Sequence, residues 1–339
     1  MDVSQPGKMR SNNRKRVPRP GIGCILSVFL LAGSLFTAGC QRASDSPSLV
    51  SRQGFYFDTS ITISVASDDA EQILDDCMKL CGEKELIFSR TLENSELYQV
   101  NHRTQNTLNV SGELAEVIQT GISFYELSDG MLDITMAPVC DLWDFKSESP
   151  VLPPKDKIVE ALTHVDGSAV HISGTQLSFD RDDIQIDLGA LAKGYIADCL
   201  KSFLKDQGVV SAQINLGGNV LLVGSKPDGS AWKVGIQKPF ADRGTVEQVL
   251  EITDQSVVSS GIYEREFELD GVQYYHILDP HTGYPVQTDL AQATIVSDSS
   301  LLGDAYSTTC VLLGHEKAKS LTDAHQDVIK NCILTERVI

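Results

Sequence analysis

The sequence predicts an α+β fold of largely antiparallel sheet with interspersed helices, and three observations predict it. Helical stripes and strand-like alternations are mixed along the chain. Hairpin signals recur, with Gly-Gly and Asp-Gly pairs between short apolar runs. The regular strand-then-helix rhythm of a doubly wound parallel sheet is missing. Composition does not shift after residue 50, so residues 50–339 read as a single unit with room for two lobes.

In chain order, Ser60–Val65 alternates polar and apolar residues, as a strand with one buried face does. Asp68, with Glu71 three residues on, resembles a capping box, and Ile73, Leu74, Cys77 and Cys81 then follow a helical stripe. A second helix is expected from about Ser111 to Leu127, with Leu114, Val117, Ile118 and Ile122 on one face and Asp129-Gly130 as its stop. Lys155–Leu162 reads as a short helix after Pro153-Pro154. Val170–Ile172 and Leu177–Phe179 read as strands around Ser173-Gly174. A helix should run from near Leu191 to Gly208. Gln213–Leu216, Gly217-Gly218 and Asn219–Val223 read as strand, bend and strand, and Trp232, Val234 and Ile236 alternate. Phe267–Leu269 and Val272–Tyr274 flank Asp270-Gly271, a type I′ hairpin signal. Ser300 is placed to cap a last long helix toward Leu313, ended by Gly314.

Residues 1–39 stand apart. Lys8, Arg10, Arg14, Lys15, Arg16 and Arg19 precede an apolar stretch from Gly21 to Phe36, followed by Thr37-Ala38-Gly39-Cys40. Small residues before a cysteine resemble the lipobox of bacterial lipoproteins, which implies a signal peptide over 1–39, lipidation of Cys40 and a polar tether over 40–49. The expected location is the extracytoplasmic face of the bacterial cytoplasmic membrane.

The chain has 339 residues, 42% of them hydrophobic, and a formal net charge of -18. That acidity argues against nucleic-acid binding, which needs Lys and Arg on the phosphates. Eight cysteines are scattered without a C-x-x-C pair, so the spacing argues against a zinc site. Cys77 and Cys81, one helical turn apart, read as core residues. The G-x-G-x-x-G, P-loop and G-x-S-x-G motifs are all missing.

Four clusters remain. Gly130–Pro138, containing Met131, Leu132 and Asp133, is followed by Leu142-Trp143-Asp144-Phe145; taken alone it reads as a core strand and loop. Asp187–Tyr195 has small residues that permit close backbone approach, and a helix start there, with Lys193 in its first turn, is suited to an anion. His276–Pro285 is a loop leaving a hairpin strand, where an imidazole can serve catalysis and Asp279 is placed to orient it. Asp304 and Thr308 stand at i and i+4, which puts two oxygen donors on one helix face, as a hard cation such as Mg²⁺ prefers.

In order and combination these clusters resemble the FAD:protein FMN transferase (ApbE-like) family over essentially all of residues 50–339. Phe88-Ser89-Arg90-Thr91, Asn94-Ser95, Asn101, Leu216–Val220 and Ser259–Tyr263 extend the resemblance. The resemblance implies a single catalytic unit in which Met131, Leu132, Asp133, Asp187, Lys193 and Ile277 contact FAD as substrate, with Thr91 a weaker candidate. It implies Mg²⁺ held by the Ala190 carbonyl, Asp304 and Thr308, and His276 as base. The implied reaction moves FMN from FAD to a threonine of an acceptor flavoprotein, of the sodium-pumping quinone reductase or a related electron-transfer type, and releases AMP. One departure stands out: many members carry Met-Gly-Thr at the flavin, where this chain has Phe57-Asp58-Thr59. The rival readings are a non-catalytic FAD-binding lipoprotein, a solute-binding lipoprotein and an FAD pyrophosphatase.

Overall fold

The computed structural model describes residues 47–147 and 149–337. The expected signal peptide, Cys40 and most of the tether lie outside them. In chain order the elements are β1 Leu49–Tyr56, β2 Thr59–Ala66, α1 Ala70–Phe88, α2 Glu96–Asn101, β3 Thr107–Asn109, α3 Gly112–Leu127, α4 Ala137–Cys140 and α5 Lys155–Leu162. After a 3₁₀ turn come β4 Val170–Ser173, β5 Gln176–Phe179, α6 Ala192–Asp206, β6 Ser211–Leu216, β7 Asn219–Gly224, β8 Trp232–Gln237 and β9 Val246–Ile252. The chain continues through β10 Ser256–Gly261, β11 Glu266–Leu269, β12 Val272–Tyr275, β13 Leu290–Ser297, α7 Ser300–Leu313, α8 His315–Ala324 and β14 Ile329–Glu336. The α+β, antiparallel expectation matches the fold.

A seven-stranded sheet, in the order β1-β2-β6-β7-β10-β13-β14, is antiparallel at every pairing. The two-residue period of a strand explains how it is covered on both faces. On β7, Leu221 and Val223 face the main core with helices α1, α6 and α7, whereas Val220 and Leu222 face the other way. There they meet Trp232, Val234 and Ile236 of β8 and Leu250 and Ile252 of β9. The β8–β9 hairpin is thus a lid on the sheet's second face. The described residues form one compact unit.

Two helix starts differ from expectation. α1 begins at Ala70 with Asp69 as N-cap, and no side chain caps it. Glu71 is drawn instead to Arg52 on β1, an ion pair that a capping box cannot match once the strand lies alongside. α7 is capped by Ser299, whose side chain accepts the Leu302 N–H; Ser300 is buried and its hydroxyl donates to Asn219. α7 runs to Leu313 and ends at Gly314 as expected, and the shorter α8 and β14 follow. The tether as read also runs one residue into β1, which starts at Leu49.

Candidate functional site

α6 and α7 cross closely at their N-terminal ends, and a glycine makes the crossing possible. A Cβ on Gly194 would stand 2.3 Å from the Ser300 carbonyl oxygen and 2.7 Å from Leu301 Cα, both main-chain atoms. At this crossing the Gly194 N–H donates to Asp304 Oδ2 at 3.0 Å. Gly194 is the third residue of α6, and the first-turn N–H groups of a helix have no acceptor on the helix itself, so Asp304, only 3% exposed, caps this one. Among the described residues no N–H donates to the Ala190 carbonyl, two residues before the helix begins.

Lys193 completes the corner. Its Nζ donates to the Gly189 carbonyl at 3.0 Å and lies 3.5 Å from Asp304 Oδ2. Burial pushes the Asp304 carboxyl above the usual range, against the pull of Lys193 and the Gly194 N–H. One turn on, Thr308 Oγ1 lies 3.0 Å from the Ser260 hydroxyl of β10, which is also 2.8 Å from Ser307 Oγ. Among the described residues no three His, Cys, Asp or Glu side chains gather as a metal cluster. A cation held here would draw on one carboxylate, one hydroxyl and a carbonyl, a hard-oxygen set, and the Ala190 carbonyl accepts no hydrogen bond among the described residues.

The Asp187 segment feeds this corner. Asp187 Oδ1 accepts the Gly189 N–H at 2.7 Å and Oδ2 pairs with Arg90 Nε at 2.7 Å, while the Asp187 N–H donates to the Ile134 carbonyl at 2.7 Å. That last bond joins the segment around Asp133 to the start of α6. Asp133 itself is fully engaged: Oδ1 accepts the Thr135 N–H at 2.7 Å and hydroxyl at 2.6 Å, and Oδ2 accepts the Gly167 N–H at 3.0 Å. Burial raises its carboxyl while these bonds pull it down. The Leu132 and Ile277 side chains are in the core, so a ligand there would meet only their main chain. Met131 is half-buried and Thr91 is exposed, with its hydroxyl near Ser89.

His276 follows β12 directly. Its N–H donates to the Arg265 carbonyl at 3.1 Å. The residue is half-buried, but its Nδ1 is sealed from solvent and has no hydrogen-bond partner. Burial, with Arg265 and Lys193 adding positive charge, brings the imidazole down from 6.5 to about 4. It is therefore neutral, and able to accept a proton, at any ordinary pH. Asp279 does not orient it. That carboxylate accepts the His281 N–H at 2.7 Å and faces the His281 ring at 3.3 Å, which closes its own turn.

Phe57 and Asp58 form the two-residue turn between β1 and β2 with φ of 52° and 61°. Asp tolerates this left-handed conformation better than most residues, and its carboxylate faces Lys146 and Arg265. Two contributors carried no role in the sequence reading. Arg90 ties Asp187 to Asp141, and Asn219, 2% exposed, stands beside Asp304. Their only sequence signal was membership in the matched stretches.

The ApbE family profile matches residues 57–333. The FAD:protein FMN transferase of Vibrio cholerae serotype O1 is 29% identical over 310 residues, covering 90% of this chain and 93% of its own. That of Klebsiella pneumoniae is 35% identical over 237 residues, 69% of this chain and 73% of its own. Among solved structures, the flavin transferase ApbE from Vibrio cholerae superposes with a TM-score of 0.76 at 26% identity, covering 85% of this chain and 97% of that one. The apo flavinyl transferase ApbE of Pseudomonas stutzeri gives 0.75 at 26% identity, over 87% and 93%.

Proposed function

This chain belongs to the ApbE family and transfers FMN from FAD to another protein; on that premise we propose that the transfer is Mg²⁺-dependent, that the acceptor atom is a threonine hydroxyl, and that His276 is its base. The observation that carries the reading is the buried Asp304 carboxylate, met across the α6–α7 crossing by the Gly194 N–H at 3.0 Å and Lys193 Nζ at 3.5 Å. Ala190, Asp304 and Thr308 would hold the cation. When bound, Mg²⁺ supplies neutralisation of the charge that builds on the pyrophosphate oxygens.

The remaining chemistry belongs to the protein's own groups. His276 takes the proton of the threonine hydroxyl as that oxygen forms its bond to the FMN phosphorus. The bond from that phosphorus to the bridging oxygen breaks, and AMP leaves. A base of this kind contributes about 10²–10⁴-fold. Lys193, within the same corner, adds positive charge toward the phosphates. Met131 and the main chain around Asp133, Asp187 and Ile277 would cradle FAD, with Thr91 at the margin. The acceptor is a membrane flavoprotein of the sodium-pumping quinone reductase or a related electron-transfer type. Its flavinylated threonine faces out of the cytoplasm, where a chain lipidated at Cys40 would be anchored.

The test is incubation with FAD, Mg²⁺ and an acceptor flavoprotein, followed by protein mass analysis. The expected result is one added FMN mapping to a threonine, lost on chelation and restored by Mg²⁺. FAD cleaved to FMN and AMP with an unmodified acceptor would make the protein a pyrophosphatase instead.

A further inference from the structure

Among the described residues no group hydrogen-bonds the His276 ring. Its Nδ1 has no partner, and Asp279 serves His281. The direction of the imidazole therefore depends on its backbone. His276 sits at a junction of two hairpins. Before it, β11 and β12 pair in register, and the His276 N–H extends the ladder to Arg265. After it, the Ile277 carbonyl accepts the Val286 N–H at 2.9 Å, and the Asp279 N–H donates to the Tyr284 carbonyl at 2.8 Å.

Both hairpins land on one indole. From the first, the Tyr274 and Phe267 rings lie 5.9 Å and 6.4 Å from Trp143, centroid to centroid. From the second, Tyr284 meets Trp143 edge-on at 5.7 Å, and Trp143 Nε1 donates to the Gly283 carbonyl at 2.9 Å. Trp143 is 6% exposed, so its N–H must find an acceptor inside the protein. Gly283 has a φ of 70°, and a Cβ there would come within 2.5 Å of the Ile158 side chain. The carbonyl is presented to the indole by a turn that only glycine fits.

We propose that Trp143 is a positioning residue for the transfer: by gripping the hairpins on both sides of His276, one indole fixes where the imidazole points. The proposal rests on His276 being the base. Small misplacements of a reacting group cost rate more than binding, on the order of 10²-fold per ångström.

The experiment compares the full chain with Trp143→Phe, His276→Ala and the double variant, using FAD, Mg²⁺ and an acceptor flavoprotein. Trp143→Phe keeps an apolar ring and removes the donor. The expected result is a kcat lower by about tenfold with KM for FAD within about twofold, and faster amide exchange across residues 277–286. In the His276→Ala background Trp143→Phe should cost no further rate, because two groups acting through one atom do not add. Should Trp143→Phe fold poorly, Tyr284→Leu and Phe267→Leu, each loosening one hairpin, are expected to give the same split. If kcat per folded molecule is unchanged in Trp143→Phe while His276→Ala is slow, Trp143 is ordinary core and the proposal falls. Losses that multiply in the double variant also overturn it. A His276→Ala protein as fast as the parent removes the base reading and this proposal with it.

Discussion

Gly194 donates its N–H to Asp304 across the α6–α7 crossing, 3.0 Å away. One hydrogen bond thereby does two things. It satisfies a first-turn N–H of α6 that has no acceptor on its own helix, and it fixes a buried carboxylate.

Gly194→Ala tests this relationship. The new methyl would meet the Ser300 and Leu301 main chain, which cannot rotate away. Overpacking of this kind costs about 1–3 kcal/mol, and parting the helices adds the cost of a buried carboxylate that has lost a donor. The expected outcome is a lower midpoint in urea together with weaker Mg²⁺ dependence. An unchanged midpoint would mean that the crossing is looser than it looks.

Strands with one covered face were legible: β2, β8 and the β11–β12 hairpin show their period or their turn plainly. β6 and β7, in the middle of the sheet, were legible through the Gly217-Gly218 bend between them, whereas β10 and β13 were not. Every residue of β13 is buried, with Gln292 and Thr294 among them, so the alternation that marks a strand is lost where both faces are covered. The site was legible as residue types but not as a place. Lys193 and Asp304 meet across 111 positions of sequence, and nothing in local spacing brings them together. Only the family resemblance joined them. Asp279 shows the opposite failure: proximity in sequence suggested a partner for His276, and the tight turn at Gly283 sent that carboxylate to His281.

Metal binding should show as stability before it shows as rate. A ligand at 100 times its Kd stabilises the folded state by about 2.7 kcal/mol. Mg²⁺ is therefore expected to raise the melting temperature of the parent by several degrees. Asp304→Asn keeps the shape of the side chain but not its charge, and it should melt at the same temperature with or without Mg²⁺ and lose Mg²⁺-dependent turnover. An equal shift in both proteins would place the cation elsewhere.

The imidazole predicts a pH dependence with a definite sign. His276 titrates at about 4 in the folded protein and near 6.5 when unfolded. Between those values the unfolded chain holds more protons, so stability should fall as pH is lowered through the window. His276→Gln should flatten this part of the curve, read by thermal melts at pH 7 and pH 5. The acid limb of kcat/KM is expected near 4, with no break near 6.5. A break near 6.5 would mean that the imidazole is solvated in the working enzyme.

Cys40→Ser tests the proposed lipid anchor. Each buried lipid CH₂ contributes about 0.8 kcal/mol, so loss of the acyl chains should release the protein from the membrane fraction. Equal recovery of parent and variant in membranes would point to a retained apolar segment in place of a lipid.

His276→Ala separates an enzyme from a flavin store. A base that acts on the acceptor hydroxyl contributes to the transition state and little to FAD binding. Such an interaction lowers kcat and kcat/KM together and leaves KM nearly unchanged. The variant is expected to bind FAD as the parent does and to transfer FMN slower by about 10²-fold or more. Two measurements run side by side: FAD titration by flavin fluorescence, and a time course of covalent flavin on the acceptor. The ring's neighbours sharpen the expectation. Arg265 and Lys193 both disfavour the protonated imidazole, so the group is available as a base yet poorly suited to bind a phosphate as a cation. Weaker FAD binding with an unchanged rate at saturation would make His276 a substrate contact and leave the transfer without its base.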